Sequence, residues 1–210
     1  MIGWVGGGPW GPVACALGEP EAALDLVRTL ATSGVWWMHL PRIPAAEIAA
    51  RLPVRHQDDW DYRWTSAAPP GVPGEDRVVE VGRAHDDAVA DLLERAFPGT
   101  TTRPGDPRIR AWYGVWDGDR LIAAGADRSR GEVGFLAGLA VDPDRRGAGV
   151  GAALTAGMMR RLLDEFGVVS LGVMYDNSGA IRLYERLGFT QCLSRSSVSL
   201  DLPVDDAPVG

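Results

Sequence analysis

Three glycines, Gly147, Gly149 and Gly151, follow an apolar strand and open a helix within the segment AVDPDRRGAGVGAAL, residues 140–154. Residues without a Cβ let the backbone turn tightly and let a ligand approach the amides closely. Free amides at a helix N-terminus form the positive end of its dipole, which suits phosphate oxygens. Arg145 and Arg146 stand just before the glycines. From Asp142 to Arg161 four arginines face two aspartates, a local balance of +2 in a chain of net charge −7. The expected chemistry is therefore the holding of a phosphorylated ligand at one turn.

Two phosphate-binding readings compete for this segment on residues alone. A P-loop needs Gly-Lys-Ser/Thr, and all 21 basic residues here are arginine. The absence of lysine excludes that loop and excludes Schiff-base catalysis. A dinucleotide fingerprint, G-x-G-x-x-A, fits Gly147, Gly149 and Ala152. It normally follows the first strand of its sheet directly, whereas here DPDRR intervenes and several strands come earlier.

Composition narrows the other classes. With 46% hydrophobic and 23% charged residues in 210, the chain is globular rather than disordered. Twenty-eight acidic residues against 21 basic ones argue against broad binding to nucleic acid or anionic lipid. Cys15 and Cys192 form no C-x-x-C, and His39, His56 and His85 share no ligand spacing, so no metal site is expected. The histidines read as surface or loop residues. The start of the chain has no basic segment before its apolar residues and is broken by Gly and Pro. It reads as neither a secretion signal nor a membrane span, and a cytoplasmic protein is expected.

The elements that must position the glycine turn are legible from periodicity. Residues 77–81 read as a strand and 85–97 as a helix, with Val89, Leu92, Leu93 and Ala96 at helical spacing. Strands at 111–116 and 120–126 flank Asp117-Gly118-Asp119, a hairpin signal. Residues 132–141 read as a strand buried on both faces, and a helix follows over 149–166. A second buried strand at 168–175, a short helix at 178–187, and two strands at 189–193 and 196–202 complete the order. This is an α/β layer fold on a mixed sheet. The first 65 residues repeat part of it as β-α-β-α-β: strands at 13–17, 35–40 and 59–65, helices at 21–32 and 44–51. We read them as a degenerate half-repeat. Residues 1–68 are thus one domain, 69–76 a Pro/Gly-rich linker, 77–203 the second domain and 204–210 a tail.

Val141, Pro143, Arg146, Gly149 and Gly151 spell V-x-P-x-x-R-x-x-G-x-G, and DNSGAIRLYERLGF occupies residues 176–189. Together these blocks resemble the two motifs of the GNAT superfamily of N-acetyltransferases, with the family's element order between them. The half-repeat before them resembles the glycine N-acyltransferase-like branch. The resemblance implies a GNAT fold and acetyl-CoA as co-substrate. It implies that the pyrophosphate rests on the amides of Arg146, Gly147, Ala148, Gly149, Val150 and Gly151. Along the strand end at Leu139, Ala140 and Val141, Leu139 and Val141 would offer backbone bonds to the pantetheine arm, as to an added strand. Family members splay this strand from its neighbour, often at a bulge, for which Gly138 is well placed.

By the same resemblance Asn177 helps hold the pantetheine arm and Tyr184 protonates the departing thiolate. Seven residues apart, the two would share a helical face. A Tyr hydroxyl, with an ordinary pKa of about 10, is protonated at neutral pH and suited to that role. On residues alone, Asn177 could equally be a helix cap and Tyr184 core packing. Many relatives carry a basic Glu on the strand before the glycine turn. Here that strand offers only Glu132, at its start, where a solvated charge needs no special role, and the general base is unassigned. No Cys or Ser sits in an activating setting, so direct transfer in a ternary complex is expected rather than an acetyl-enzyme. The acceptor is an amine, on a small molecule or a peptide, with Arg103, Asp106, Trp112 and Tyr113 as candidate contacts. Six of the eight tryptophans lie in residues 4–64, as packing or as a wall of the acceptor site. The alternatives are a silent acyl-CoA-binding module and a dinucleotide enzyme. Both a monomer and a homodimer fit the sequence.

Overall fold

The computed structural model describes residues 1–8, 11–30 and 35–201. In chain order its elements are β1 (Ile2–Gly8), β2 (Gly11–Leu17), α1 (Pro20–Leu30), β3 (Trp37–Pro41), α2 (Ala45–Ala49) and β4 (Val54–Thr65). Then come β5 (Val79–Val81), α3 (Asp86–Ala96), β6 (Ala111–Asp117), β7 (Arg120–Asp127) and β8 (Gly134–Val141). Last are α4 (Val150–Phe166), β9 (Val169–Met174), α5 (Ser178–Arg186) and β10 (Gln191–Leu200). The end of the expected first helix, Trp10, Leu202 and the expected tail lie outside the described residues.

Contacts divide the chain into two compact units. One holds Met1–Tyr62, Val173–Asn177 and the residues from Cys192; the other holds Arg63–Gly172 and Ser178–Gln191. This division differs from the expected boundaries at 68 and 77 in two ways. The last strand, β10, belongs with the first unit. The Pro/Gly-rich segment 69–76 is tied down rather than loose: Arg160 on α4 donates to the Pro69 and Pro70 carbonyls and pairs with Glu75 at 3.0 Å. Arg161 likewise reaches the Val78 carbonyl.

The first unit orders its strands β1-β2-β3-β10-β4. β2 and β3 are parallel, joined through α1, and β10 runs antiparallel to β3. Helices α1 and α2 turn Leu24, Val27 and Ile48 onto Met38, Leu40 and Val198. The glycine-rich β1, which sequence propensity does not signal, pairs along its length with β2, from Ile2↔Leu17 to Gly8↔Gly11. The two strands expected after residue 188 are one continuous strand. Arg195, the polar break between them, is buried because it donates to the Ala16 and His39 carbonyls. His39 is also no surface residue. Its Nδ1 lies 2.7 Å from Ser197 Oγ, and burial with the nearby Arg195 pushes it down to about 4.

The second unit orders its strands β9-β8-β7-β6-β5. β5 to β8 are antiparallel neighbours, and β8 and β9 are parallel. The helix α4 makes the crossover that parallel neighbours require. Helix α3 buries Val89, Leu92 and Leu93 with Trp112, Ala124 and Ala140. Both units are helices layered on a mixed sheet, the α/β class the sequence predicts.

Candidate functional site

The site residues of the glycine segment lie on β8, the turn after it and α4. β8 pairs with β9 only through Gly134↔Val169, Phe135↔Ser170 and Leu136↔Leu171. From residue 137 onward its edge on that side carries no ladder among the described residues. On the other side the register with β7 steps from Ala126↔Ala137 to Ala124↔Ala140, so β8 has one extra residue there. The bulge falls at Gly138, with φ +56°. A Cβ at Gly138 would come 2.9 Å from Thr102 Cγ2, so only glycine fits both the conformation and the space. The strand is correspondingly half-buried, not buried on both faces as expected. β9 similarly opens to solvent towards Met174.

Beyond the bulge, the Asp142 N–H donates to the Ile122 carbonyl on β7, at 2.9 Å. Backbone groups alternate along a strand, so those of Val141 and Leu139 face the unladdered edge. This is the geometry needed to bind an extended chain like a further strand.

The turn is held by Asp142, whose side chain is 1% exposed. Its Oδ1 accepts the Asp144 N–H at 3.1 Å, while Oδ2 takes Arg120 at 2.6 Å and Arg95 at 3.4 Å. A single turn, Pro143–Arg145, follows, and Gly149 caps α4 in the left-handed conformation with φ +79°. The first intrahelical bond is from the Ala153 N–H to the Gly149 carbonyl. The amides of Val150, Gly151 and Ala152 therefore lack acceptors within the helix, as at every helix start, and the turn before them is exposed. The arginine pair splits. Arg145 is ion-paired with Asp117, which cancels its charge locally. Arg146 donates to the Ala96 carbonyl at 3.0 Å and keeps its full charge.

Tyr184 sits on the buried face of α5, 8% exposed, its ring edge-on to Phe189 at 5.9 Å. Burial pushes its hydroxyl up to about 12. The hydroxyl has no hydrogen-bond partner among the described residues, so it is a free donor that stays protonated. Asn177 precedes α5 rather than lying on its face, with its N–H donating to the Met174 carbonyl.

Other candidates fall elsewhere. Glu132 lies in an exposed turn before β8. Six residues separate it from the bulge, ~20 Å of extended chain. Trp112, 5% exposed, is core under α3, and Tyr113 lies beneath Arg161 of α4, 5.6 Å from its guanidinium carbon. Arg103 closes its own loop through the Pro98 carbonyl and Glu94. Asp106 is bound to Arg108 at 2.7 Å. Sequence reasoning missed Asp142, whose arginine partners are distant in the chain. Among the described residues no group of three His, Cys, Asp or Glu could hold a metal ion, and no helix is long and apolar enough to cross a membrane.

Comparison with known proteins identifies the family and the fold. Residues 80–189 match the Acetyltransferase (GNAT) family. A mycothiol acetyltransferase of Nocardiopsis dassonvillei is 43% identical over 96% of this chain and 68% of its own length. One of Actinosynnema mirum is 36% identical over 74% of this chain and 60% of its own. The chain thus spans about 60 to 68% of the length of these relatives. Among solved structures, a putative GNAT acetyltransferase of Novosphingobium aromaticivorans superposes with a TM-score of 0.65 at 24% identity, covering 90% of this chain and 83% of that one. A GCN5-related N-acetyltransferase of Kribbella flavida gives 0.57 at 17% identity over 94% and 84%. At these identities the two structures speak for the fold alone.

Proposed function

The chain belongs to the Acetyltransferase (GNAT) family, and we propose that it transfers an acetyl group from acetyl-CoA to an amine in the cytoplasm, by direct attack in a ternary complex. The observation that carries this reading is the unladdered edge of β8 leading straight into the glycine-opened start of α4. One end of that path suits an extended amide-bearing arm and the other a pyrophosphate.

The pantetheine arm runs along Leu139 to Val141, and the pyrophosphate rests on the amides from Arg146 to Gly151. By family resemblance Asn177 assists with the arm. The neutral amine attacks the thioester carbonyl carbon, the C–S bond breaks, and one proton passes in net from nitrogen to sulfur. Tyr184 faces the departing sulfur as a hydrogen-bond donor. With its hydroxyl near 12, full transfer of that proton to a thiolate of ordinary pKa about 8.5 is uphill. The ammonium formed on attack is the better final proton source. No acidic side chain of β8 stands near the bulge, so the amine enters already deprotonated.

The mycothiol acetyltransferase relatives make the amine whose acetylation yields mycothiol the first acceptor to assay. The test is thiol release from acetyl-CoA across that amine, amino acids, polyamines and peptides. Release above the amine-free rate for any of them sustains the reading. Stabilisation by acetyl-CoA with no release from any amine would leave a silent acyl-CoA-binding module.

A further inference from the structure

Arg128 is a half-buried cation whose side chain has no hydrogen bond or ion pair with an acidic group among the described residues, although the charge of Asp106 acts on it from nearby. It follows Asp127, whose buried carboxylate faces Arg110 and Ser129 and so turns towards α4, where Arg110 also meets Glu165 at 2.6 Å. Successive side chains of a strand point to opposite faces. Arg128 therefore faces the other side of β7 and β8, towards the loop at residues 97–110. Its backbone is pinned there: its N–H donates to the Phe135 carbonyl at 2.9 Å, and Ser129 Oγ accepts the Phe135 N–H at 2.9 Å.

The loop on that face brings a second arginine. Arg108 binds both oxygens of Asp106 through Nε and Nη2, at 2.7 to 3.1 Å. The Arg108 N–H also takes Asp106 Oδ1, at 2.9 Å. Asp106 is therefore bound by Arg108, and the Arg128 side chain has no hydrogen bond or ion pair among the described residues. Burial, then the charge of Arg108, pushes the proton affinity of Arg128 down, Asp106 pulls the other way, and the exposed Arg130 adds to the repulsion. Two guanidinium groups, those of Arg108 and Arg128, thus share one carboxylate. Leaving a half-buried charge unpaired is costly, and a bound anion would offset that cost.

The position relative to the reaction is also defined. Thr102, from the same loop, packs on Gly138 at the bulge. Phe135, which holds Arg128, is three residues up the strand, ~10 Å of extended chain. An arginine side chain spans much of that distance. A guanidinium fork matches a planar carboxylate in two parallel bonds.

We propose that Arg128, with Arg108 beside it, forms a carboxylate-binding subsite on the loop side of β8, so that the acceptor is an amine that also carries a carboxylate. This rests on the acetyl-transfer reading and names an acceptor class other than the amine acetylated to mycothiol, which carries no carboxylate.

The experiment uses the full chain, acetyl-CoA and matched acceptor pairs: alanine with alaninamide, and glycylglycine with glycylglycinamide. The expected result is a kcat/KM at least tenfold higher for one or both carboxylates than for their carboxamides. In R128Q that ratio falls towards one, in R128K it is partly kept, and the KM for acetyl-CoA does not follow it. Pairs turned over equally by the wild type, or a ratio that R128Q leaves intact, overturn the subsite while acetyl transfer stands. If no amine releases thiol, the transfer reading fails separately, and the subsite is decided by binding. N-acetylglycylglycine must then raise the wild-type melting temperature more than its carboxamide does, with the difference lost in R128Q. No such difference overturns the subsite.

Discussion

Arg120, at the start of β7, donates to Asp142, at the end of β8, over 2.6 Å. The bond closes the turn that carries the glycines, because the same carboxylate also receives the Asp144 N–H. Burial pushes the Asp142 carboxyl up, but the Asp144 amide and Arg120 outweigh it and hold the group below the usual carboxylate range. Asp142→Asn keeps the shape and removes the charge. The KM for acetyl-CoA should rise several-fold with a smaller change in kcat, measured by steady-state thiol release. A group held low contributes stability above its ordinary pKa, about 3.9, and loses it as pH falls through the folded value. Melting temperatures of wild type and variant should therefore differ at pH 7 and converge in acid. An unchanged KM would detach Asp142 from the coenzyme turn.

Tyr184→Phe removes one hydroxyl that has no hydrogen-bond partner among the described residues, so the fold should be unaffected and the melting temperature should stay within about a degree. Removal of a donor to the leaving sulfur should lower kcat by about tenfold to a hundredfold, with the KM for acetyl-CoA nearly constant. Because the hydroxyl lies near 12, it remains protonated across the working range. The pH profile of kcat should then climb as the acceptor amine deprotonates, with no descending limb below about pH 10. A limb near pH 8 that vanishes in the Phe variant would assign Tyr184 a different protonation state.

Gly138→Ala combines an unfavourable backbone conformation with a contact against Thr102. A non-glycine residue in the left-handed region costs about 1–2 kcal/mol, before the 2.9 Å approach to Thr102 Cγ2 is relieved. We expect a loss of several degrees in melting temperature. Thr102→Ser in the same chain removes the clashing methyl group and should recover part of that loss. Full recovery would mean that the contact alone, and not φ, demands glycine.

How much of this was legible in sequence depended on chain distance. The hairpin at Asp117-Gly118-Asp119, the Gly149 start and Gly167 end of α4, and the Gly138 bulge are written locally, in glycines and in apolar spacing. The anchoring bonds are not. Arg160 and Glu75 are 85 residues apart, and nothing in a Pro/Gly-rich stretch announces that an arginine will clamp it. Arg195 interrupts an apolar pattern, so one strand reads as two until the Ala16 and His39 carbonyls that solvate it are known. Trp112 and Tyr113 show the same limit at one residue's resolution. Alternation says they face opposite ways, but not which faces α3 and which α4. The charge of Arg145 counted towards the phosphate turn in sequence and is cancelled in space by Asp117.

His39 supplies a pH test in the first unit. Trp60 Nε1 donates to Ser197 Oγ at 2.7 Å, which leaves the Ser197 hydroxyl proton available to His39 Nδ1, also at 2.7 Å. A bond donated by Ser197 needs the neutral imidazole with its proton on Nε2. Burial first, and Arg195 second, push the folded pKa to about 4. The unfolded chain, with an ordinary value near 6.5, binds a proton more readily between those pH values. Stability is therefore whole above pH 6.5 and is lost as pH falls towards 4, by up to about 3 kcal/mol. Urea unfolding at pH 7.5 and 4.5 should show this loss in the wild type and a smaller one in His39→Gln. The imidazole resonances of His39 should stay in the neutral position down to about pH 5. Titration of His39 near 6.5 would mean that the Ser197 bond does not hold the ring neutral, and the stability difference between the two pH values would then vanish with it.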